Sequence, residues 1–299
     1  MGRIRIGLSS WADKSLIECG RFYPPDASDA ESRLRFYASQ FPDLVEVNST
    51  YYAMPSERNA ALWAARTPDD FLFDVKMFSL ITQHPTPPRA LPKDLLAALD
   101  EPARSKEQIY FNQVPHDLAG EVIARFLAAL TPLHRAGKLG AILLQFPRWF
   151  HPGRSAREHI AWCRERLGDH PVAVEFRNGA WMGPAEQANT LDFLREHHLT
   201  YVCVDEPQGF PSSVPPVAFA THPMLAYVRF HGRRRETWEK ANAGVSERFQ
   251  YLYSEAELRE WVPRIRELAG QSQEVHVLLN TNYEDHAVRN ARQLRMLFD

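Results

Sequence analysis

The stretch Val172-Ala173-Val174-Glu175-Phe176-Arg177 is a short apolar run that ends in charged residues. Seven other runs in the chain share this arrangement, and short apolar runs of this kind are typical of buried strands. Helix-length segments separate the runs, so the sequence predicts an α/β fold of the (β/α)8 TIM-barrel type. In chain order, the runs cover residues 4–11, 44–50, 71–76, 141–146, 172–177, 201–206, 225–231 and 275–280.

The predicted barrel is a single domain over residues 1–299, because no composition shift marks a linker. The gap between the third and fourth strands is the longest. It contains the proline-rich loop His84-Pro85-Thr86-Pro87-Pro88, followed by a segment predicted to form two helices. Another helix is predicted after Ser254, where Ser254 and Glu257 have the spacing of a capping box and Pro263 is expected to introduce a kink.

Composition indicates a cytoplasmic globular protein with no membrane partner. The net charge is −2, so no global field favours nucleic acid or an anionic membrane. The cysteines Cys19, Cys163 and Cys203 are scattered and form no C-x-x-C pair, which fits a reducing compartment. No apolar stretch approaches the roughly 20 residues of a membrane span, and no apolar leader precedes the first run. The sequence does not indicate an oligomeric state.

The C-terminal ends of barrel strands form the active-site face, so polar residues there are expected to serve function. Residues two apart on a strand share a face, which groups Glu175 with Arg177 and Arg229 with His231. His231 is expected to titrate near neutrality. The predicted catalytic residues are Glu46, Glu175, Asp205 and His231. The predicted ligand-binding residues are Trp11, Asn48, Tyr51, Lys76, Gln145, Arg177, Arg229, Arg233, Asn280 and Asn282.

No cofactor is predicted, because the chain has neither a G-x-G-x-x-G nor a Walker loop. A divalent metal stays open as an alternative, since Glu46, Glu175, Asp205 and His231 could form a carboxylate–histidine site. Against the metal stand the nearby cations Lys76, Arg177 and Arg229, which would compete for the same carboxylates.

The chain resembles the domain of unknown function 72 family, the YecE-like barrels, over nearly its whole length. The resemblance implies a TIM-like barrel and no established reaction. Two positions depart from the family pattern: Ser10 stands where glycine is usual, and Gln83 shifts His84 by one residue. The motifs that carry the resemblance are Ser9-Ser10-Trp11, Val45-Glu46-Val47-Asn48-Ser49-Thr50-Tyr51-Tyr52, Leu144-Gln145-Phe146-Pro147, Glu175-Phe176-Arg177-Asn178, Tyr227-Val228-Arg229-Phe230-His231-Gly232-Arg233 and the segment from Asn280 to Asn282.

Three functions are compatible with these residues. The first hypothesis is an enzyme, a hydrolase or a lyase or isomerase, that applies acid/base chemistry to a small anionic sugar, phosphate or carboxylate compound. The second is a metal-dependent phosphodiesterase or nuclease, which rests on fold analogy. The third is a non-catalytic module that binds a ligand or nucleic acid through the loop Arg233-Arg234-Arg235, and the near-neutral net charge does not favour nucleic acid.

Overall fold

The computed structural model describes residues 1–240, 247 and 249–298. The strands are β1 (Arg3–Leu8), β2 (Leu44–Val47), β3 (Leu72–Lys76), β4 (Leu139–Gln145), β5 (Val172–Glu175), β6 (Thr200–Asp205), β7 (Leu225–Phe230) and β8 (Glu274–Leu279). The helices of the described residues are α1 (Lys14–Glu18), α2 (Ala30–Gln40), α3 (Glu57–Ala65), α4 (Lys93–Ala98), α5 (Glu101–Arg104), α6 (His116–Arg135), α7 (Arg154–Leu167), α8 (Gln187–Glu196), α9 (Glu255–Gln271) and α10 (His286–Met296).

The eight strands form a closed parallel barrel in sequence order, with β8 pairing back onto β1. This confirms the predicted (β/α)8 architecture. Apolar side chains on the outer face of the strands pack against the helices, as Phe230 does with Trp261 at a ring distance of 5.3 Å. Within the described residues, no helix is long and apolar enough to cross a membrane.

The long segment between β3 and β4 contains α4, α5 and α6, one helix more than the two predicted. The additional helix, α5, has only four residues and begins at Asp100, whose carboxylate accepts from the backbone N–H of Ala103 at 2.9 Å. So short a helix shows no apolar periodicity, which is why the sequence pattern does not reveal it.

The capping box predicted for α9 is confirmed, because Ser254 accepts from the N–H of Glu257 while the Glu257 side chain accepts from the N–H of Ser254. The helix runs through Pro263 to Gln271 without a break. This places Leu258, Trp261 and Ile265 in the core against the barrel.

A buried ionic cluster lies inside the barrel toward the N-terminal ends of its strands. The His276 ring lies 3.0 Å from Asp74 Oδ2 and 3.2 Å from Glu274 Oε2, and Arg5 pairs with Glu274 at 2.9 Å. Gly140 makes room for this cluster, since a Cβ there would lie 2.3 Å from Asp74 Oδ1. Burial acts to lower the pKa of His276, but Asp74 and Glu274 outweigh burial and raise that pKa to about 9.

We expect His276 to stabilise the fold in a pH-dependent way. Its pKa in the folded protein lies above the ordinary value of about 6.5, so the stabilisation is complete below that value and is lost as pH rises through about 9. The shift corresponds to about 3 kcal/mol at most. Denaturant titrations of wild type and His276→Gln should show a difference in unfolding free energy that shrinks between pH 6 and pH 9. The exposed His134→Gln variant should show no such trend. A constant difference for His276→Gln across this range would contradict the assignment.

Candidate functional site

Arg229 is the centre of a second ionic cluster, which lies inside the barrel at the C-terminal ends of the strands. Its guanidinium is fully buried and donates to Glu46 at 2.6 Å and to Glu175. The Tyr227 hydroxyl donates to the other oxygen of Glu46 at 2.9 Å. These residues come from β2, β5 and β7, so the cluster joins strands from three parts of the barrel.

Arg177 forms the next layer toward the barrel mouth. Its Nε lies 2.5 Å from Glu175 Oε1, and its Nη1 donates to Glu206 Oε2 at 3.1 Å. Its side chain is 13% exposed, whereas Glu175 and Glu206 are buried. Arg177 therefore connects the buried carboxylates with the mouth.

His231 lies beside Arg177 and is held by amide side chains from the residues that follow β8. Asn280 Nδ2 lies 3.0 Å from His231 Nδ1, and Asn282 Nδ2 donates to Asn280 Oδ1 at 3.3 Å. The other ring nitrogen, Nε2, lies 3.0 Å from Arg177 Nη2 and 3.3 Å from Glu175 Oε1. Burial and Arg177 lower the pKa of His231 to about 3, so the ring is neutral at pH 7 and does not titrate near neutrality as expected.

The cluster carries a carboxyl group with a strongly raised pKa. Burial raises the pKa of Glu206 to about 8, although Arg177 and the N–H of Val214 act in the opposite direction. Glu175 behaves differently: burial would raise its pKa, but Arg177 and Arg229 hold it well below its usual range. One ionised and one protonated carboxyl group therefore contact the same guanidinium at neutral pH.

Partly exposed polar side chains line the mouth above this cluster. Lys76 Nζ donates to Gln145 Oε1 at 2.9 Å and lies 4.5 Å from the centre of the Tyr51 ring. Asn48 Nδ2 donates to the carbonyl of Ser9 at 2.5 Å. Ser9 Oγ and Asn48 Oδ1 are buried and lack a hydrogen-bond partner among the described residues, so a ligand or water would have to supply one.

A row of aromatic side chains continues from Tyr51 along the rim. The rings of Tyr51 and Tyr52 are 4.8 Å apart, those of Tyr51 and His84 5.1 Å, and those of His84 and Trp149 6.0 Å. Gln83, the residue before His84, has a φ of 61°, in the left-handed region. Tyr52 and Trp149 are largely exposed and could contact the apolar face of a ring-shaped ligand.

The structure does not bring Asp205 or Arg233 into the cluster. Strand β6 pairs Val204 with Arg229 and Asp205 with Phe230, so Asp205 faces the helices and Glu206 takes the inward position. Asp205 accepts from Trp261 Nε1 at 2.6 Å and pairs with Arg233 at 2.7 Å. The two residues predicted for catalysis and ligand binding thus form a separate cluster on the outer face of the barrel.

Trp11 also lies away from the mouth. It packs edge-on against Trp63 and Phe73 at ring distances of 5.7 Å and 6.2 Å, between the barrel and α3. It is 9% exposed and offers no open face for stacking. The structure brings the other predicted site residues to the mouth or to the cluster beneath it.

Sequence reasoning did not select Glu206, His84 or Trp149 as site residues. Glu206 follows another acid, and only the pairing of β6 with its neighbours shows which of the two points inward. His84 and Trp149 lie in loops, where no periodicity indicates direction. Their position after β3 and β4 was the only available signal.

In residues 1–240, 247 and 249–298, no group of three or more His, Cys, Asp or Glu side chains could hold a metal ion. Arg229 hydrogen-bonds to one oxygen atom of Glu46 and one of Glu175, and so competes with a cation for these two carboxylates.

A cavity of about 1110 Å³ lies at the opposite end of the barrel, lined by residues that include Leu72, Leu139 and His276. These residues lie at the N-terminal ends of the strands, the face that in barrels of this type serves stability. The candidate site is therefore assigned to the C-terminal mouth.

The fold and the polar mouth define the chain as a TIM-like barrel protein with an ionic cluster at its C-terminal face. The sequence matches the family described as "Protein of unknown function DUF72" over residues 5–299. The chain belongs to this family.

Known relatives agree with this assignment. The chain is 33% identical to the UPF0759 protein YunF of Bacillus subtilis (strain 168), over 99% of this chain and 95% of that protein. A crystal structure of a DUF72 family protein from Thermotoga maritima MSB8 has 30% identity and a TM-score of 0.76, with 99% of each chain covered. A DUF72 family protein from Enterococcus faecalis V583 has 27% identity and a TM-score of 0.76, over 100% of this chain and 98% of that one.

Replacing Arg229 should destabilise the fold strongly. Arg229→Met leaves two buried carboxylates without their cation, and breaking a buried pair in this way costs about 3–5 kcal/mol. Arg154→Met, which removes an exposed pair with Glu158 on α7, should cost much less, because exposed ion pairs contribute little to stability. Urea unfolding of both variants measures the contrast. Equal losses would show that the Arg229 cluster does not stabilise the barrel.

Proposed function

We propose that the chain is an enzyme that performs acid/base chemistry on a small anionic substrate at the C-terminal mouth of the barrel. The observation that carries the proposal is the excess of positive charge there. Arg229 already neutralises part of the charge of Glu46 and Glu175, while Lys76 has no carboxylate within 4 Å among the described residues. An anion entering the mouth would be attracted by Lys76 and by the exposed edge of Arg177.

The balance of charges beneath the mouth supports an anionic ligand. The cations Lys76, Arg177 and Arg229 accompany the two carboxylates of Glu46 and Glu175. Glu206 and His231 add little charge at pH 7, because the pKa of Glu206 is about 8 and that of His231 about 3. The mouth is therefore short of negative charge whenever Lys76 is protonated, and a phosphate or carboxylate group would restore the balance.

Glu206 is the proposed proton donor, in place of Asp205. It is protonated at neutral pH, and Arg177 holds its carboxyl group at 3.1 Å. A general acid works best when its pKa lies near the working pH, and a pKa of about 8 meets that condition. Glu46, Glu175 and His231 would position the two arginines around the substrate.

The remaining polar groups suggest a substrate that also carries hydroxyl groups. Asn48 Oδ1 needs a donor, and Ser9 Oγ lacks any partner among the described residues. The aromatic row from Tyr52 to Trp149 suits the C–H face of a sugar ring. A sugar phosphate or sugar acid would satisfy these groups together with the cations.

Binding of an anionic metabolite should depend on Arg177. In isothermal titration against a panel of sugar phosphates and sugar acids, Arg177→Gln should weaken binding by about tenfold or more, the effect of losing one charged hydrogen bond. Arg154→Gln is the matched control, because that arginine is 93% exposed on α7. Circular dichroism should confirm that both variants fold. If no anion binds wild type, or if Arg177→Gln binds as tightly, the proposal fails.

A further inference from the structure

The hydrogen-bond partners of Lys76 differ from those of Lys138, a buried lysine of this chain. It ends β3 on the same inward face as Asp74, two residues earlier. Its Nζ has one hydrogen bond, to the neutral amide of Gln145, and no carboxylate lies within 4 Å among the described residues. The buried lysine Lys138 instead donates to the carbonyls of Ala64 and Thr67 at 2.7 Å and 2.8 Å.

The surroundings of Lys76 lower its pKa, so that both the ammonium and the neutral amine are populated at pH 7. Burial removes the ammonium from water, and the positive charge of Arg229 disfavours a second cation nearby. These effects outweigh the attraction of Glu175 and Glu46 and lower the pKa of Lys76 to about 7. Desolvation beside another cation is a recognised way to make a lysine nucleophilic at neutral pH.

We propose that Lys76 Nζ is a covalent nucleophile that forms an imine with the carbonyl carbon of an anionic substrate. The substrate class is an aldehyde, a ketone or a 2-oxo acid that carries a phosphate or carboxylate group. This inference rests on the proposed function, because Arg177 would hold the anionic group while Lys76 attacks the carbonyl.

The step needs no external oxidant or reductant. The lone pair of Nζ forms a bond to the carbonyl carbon, and the carbonyl oxygen takes up a proton. Nζ gives up one of its two protons, and its lone pair then forms the C=N bond as the hydroxyl group takes up a further proton and leaves as water. The product is a protonated imine that keeps one proton on Nζ. Glu206, protonated at neutral pH, is the proposed source of a proton for the departing oxygen.

The cluster suits the protonated imine that follows. This iminium group is a cation, and the Tyr51 ring lies 4.5 Å from Nζ, in position for a cation–π contact. An iminium withdraws electrons from the neighbouring carbon, which makes a C–H or C–C bond there easier to break. The site would accordingly perform lyase or isomerase chemistry rather than hydrolysis.

The test is reductive trapping on the wild-type protein at pH 7. Pyruvate, dihydroxyacetone phosphate and uncharged acetone are each added with sodium cyanoborohydride, and peptide mass spectrometry locates the adduct. The expected adduct has the mass of the probe less one oxygen atom and lies on Lys76. An ordinary lysine with a pKa near 10.4 is almost wholly protonated at this pH, so labelling of Lys76 should exceed that of exposed Lys14 by on the order of 100-fold.

Lys138 is the internal control for burial, and Lys76→Arg should abolish the site-specific adduct while keeping a cation. Labelling of Lys76 no greater than that of Lys14 with every probe would overturn the inference. If anions still bind in titration while no adduct forms, the imine is wrong and the proposed function stands. If acetone labels Lys76 and the anionic probes neither bind nor label it, the nucleophile stands and the anionic substrate is wrong.

Discussion

The polar groups at the C-terminal ends of the barrel strands are arranged around the buried guanidinium of Arg229. A charge removed from water is tolerated only with close counter-charges, and Glu46 and Glu175 supply them at full burial. Because these carboxylates come from β2 and β5, the pairing ties opposite parts of the barrel together. It also takes up one oxygen atom of each carboxylate, which leaves fewer acceptors for the groups nearer the mouth.

The pairing of Arg229 with Glu46 and Glu175 also affects the groups at the mouth. Arg177 shares Glu175 with Arg229 and turns its remaining donors to Glu206 and His231. Lys76 is left with the amide of Gln145 and the face of Tyr51. The same interaction that stabilises the interior thus creates the two features on which function is proposed to depend: a shortage of negative charge at the mouth, and an amine with a lowered pKa.

The ionic cluster at the N-terminal ends of the strands differs from the Arg229 cluster in the direction in which the pKa of its histidine is shifted. At the N-terminal end, His276 is charged at neutral pH between Asp74 and Glu274, and its pKa is raised to about 9. At the C-terminal end, His231 lies beside Arg177 and its pKa is lowered to about 3. The difference follows from the nearest charges, carboxylates in one case and a guanidinium in the other. The cluster at the N-terminal ends of the strands is suited to stability, whereas the cluster at the C-terminal ends leaves unpaired groups for a ligand.

The pattern of apolar runs was enough to predict the barrel. It also showed that Glu175 and Arg177 share a face, as do Arg229 and His231, because strand alternation has a period of two. It could not choose between Asp205 and Glu206, since adjacent residues face opposite ways and only the pairing of β6 with β7 fixes which one enters the barrel. Nor could it place Trp11 between barrel and helix, or bring His84 and Trp149 together at the rim. The tertiary structure decided those positions, because loop directions and strand register arise from contacts between residues far apart in the chain.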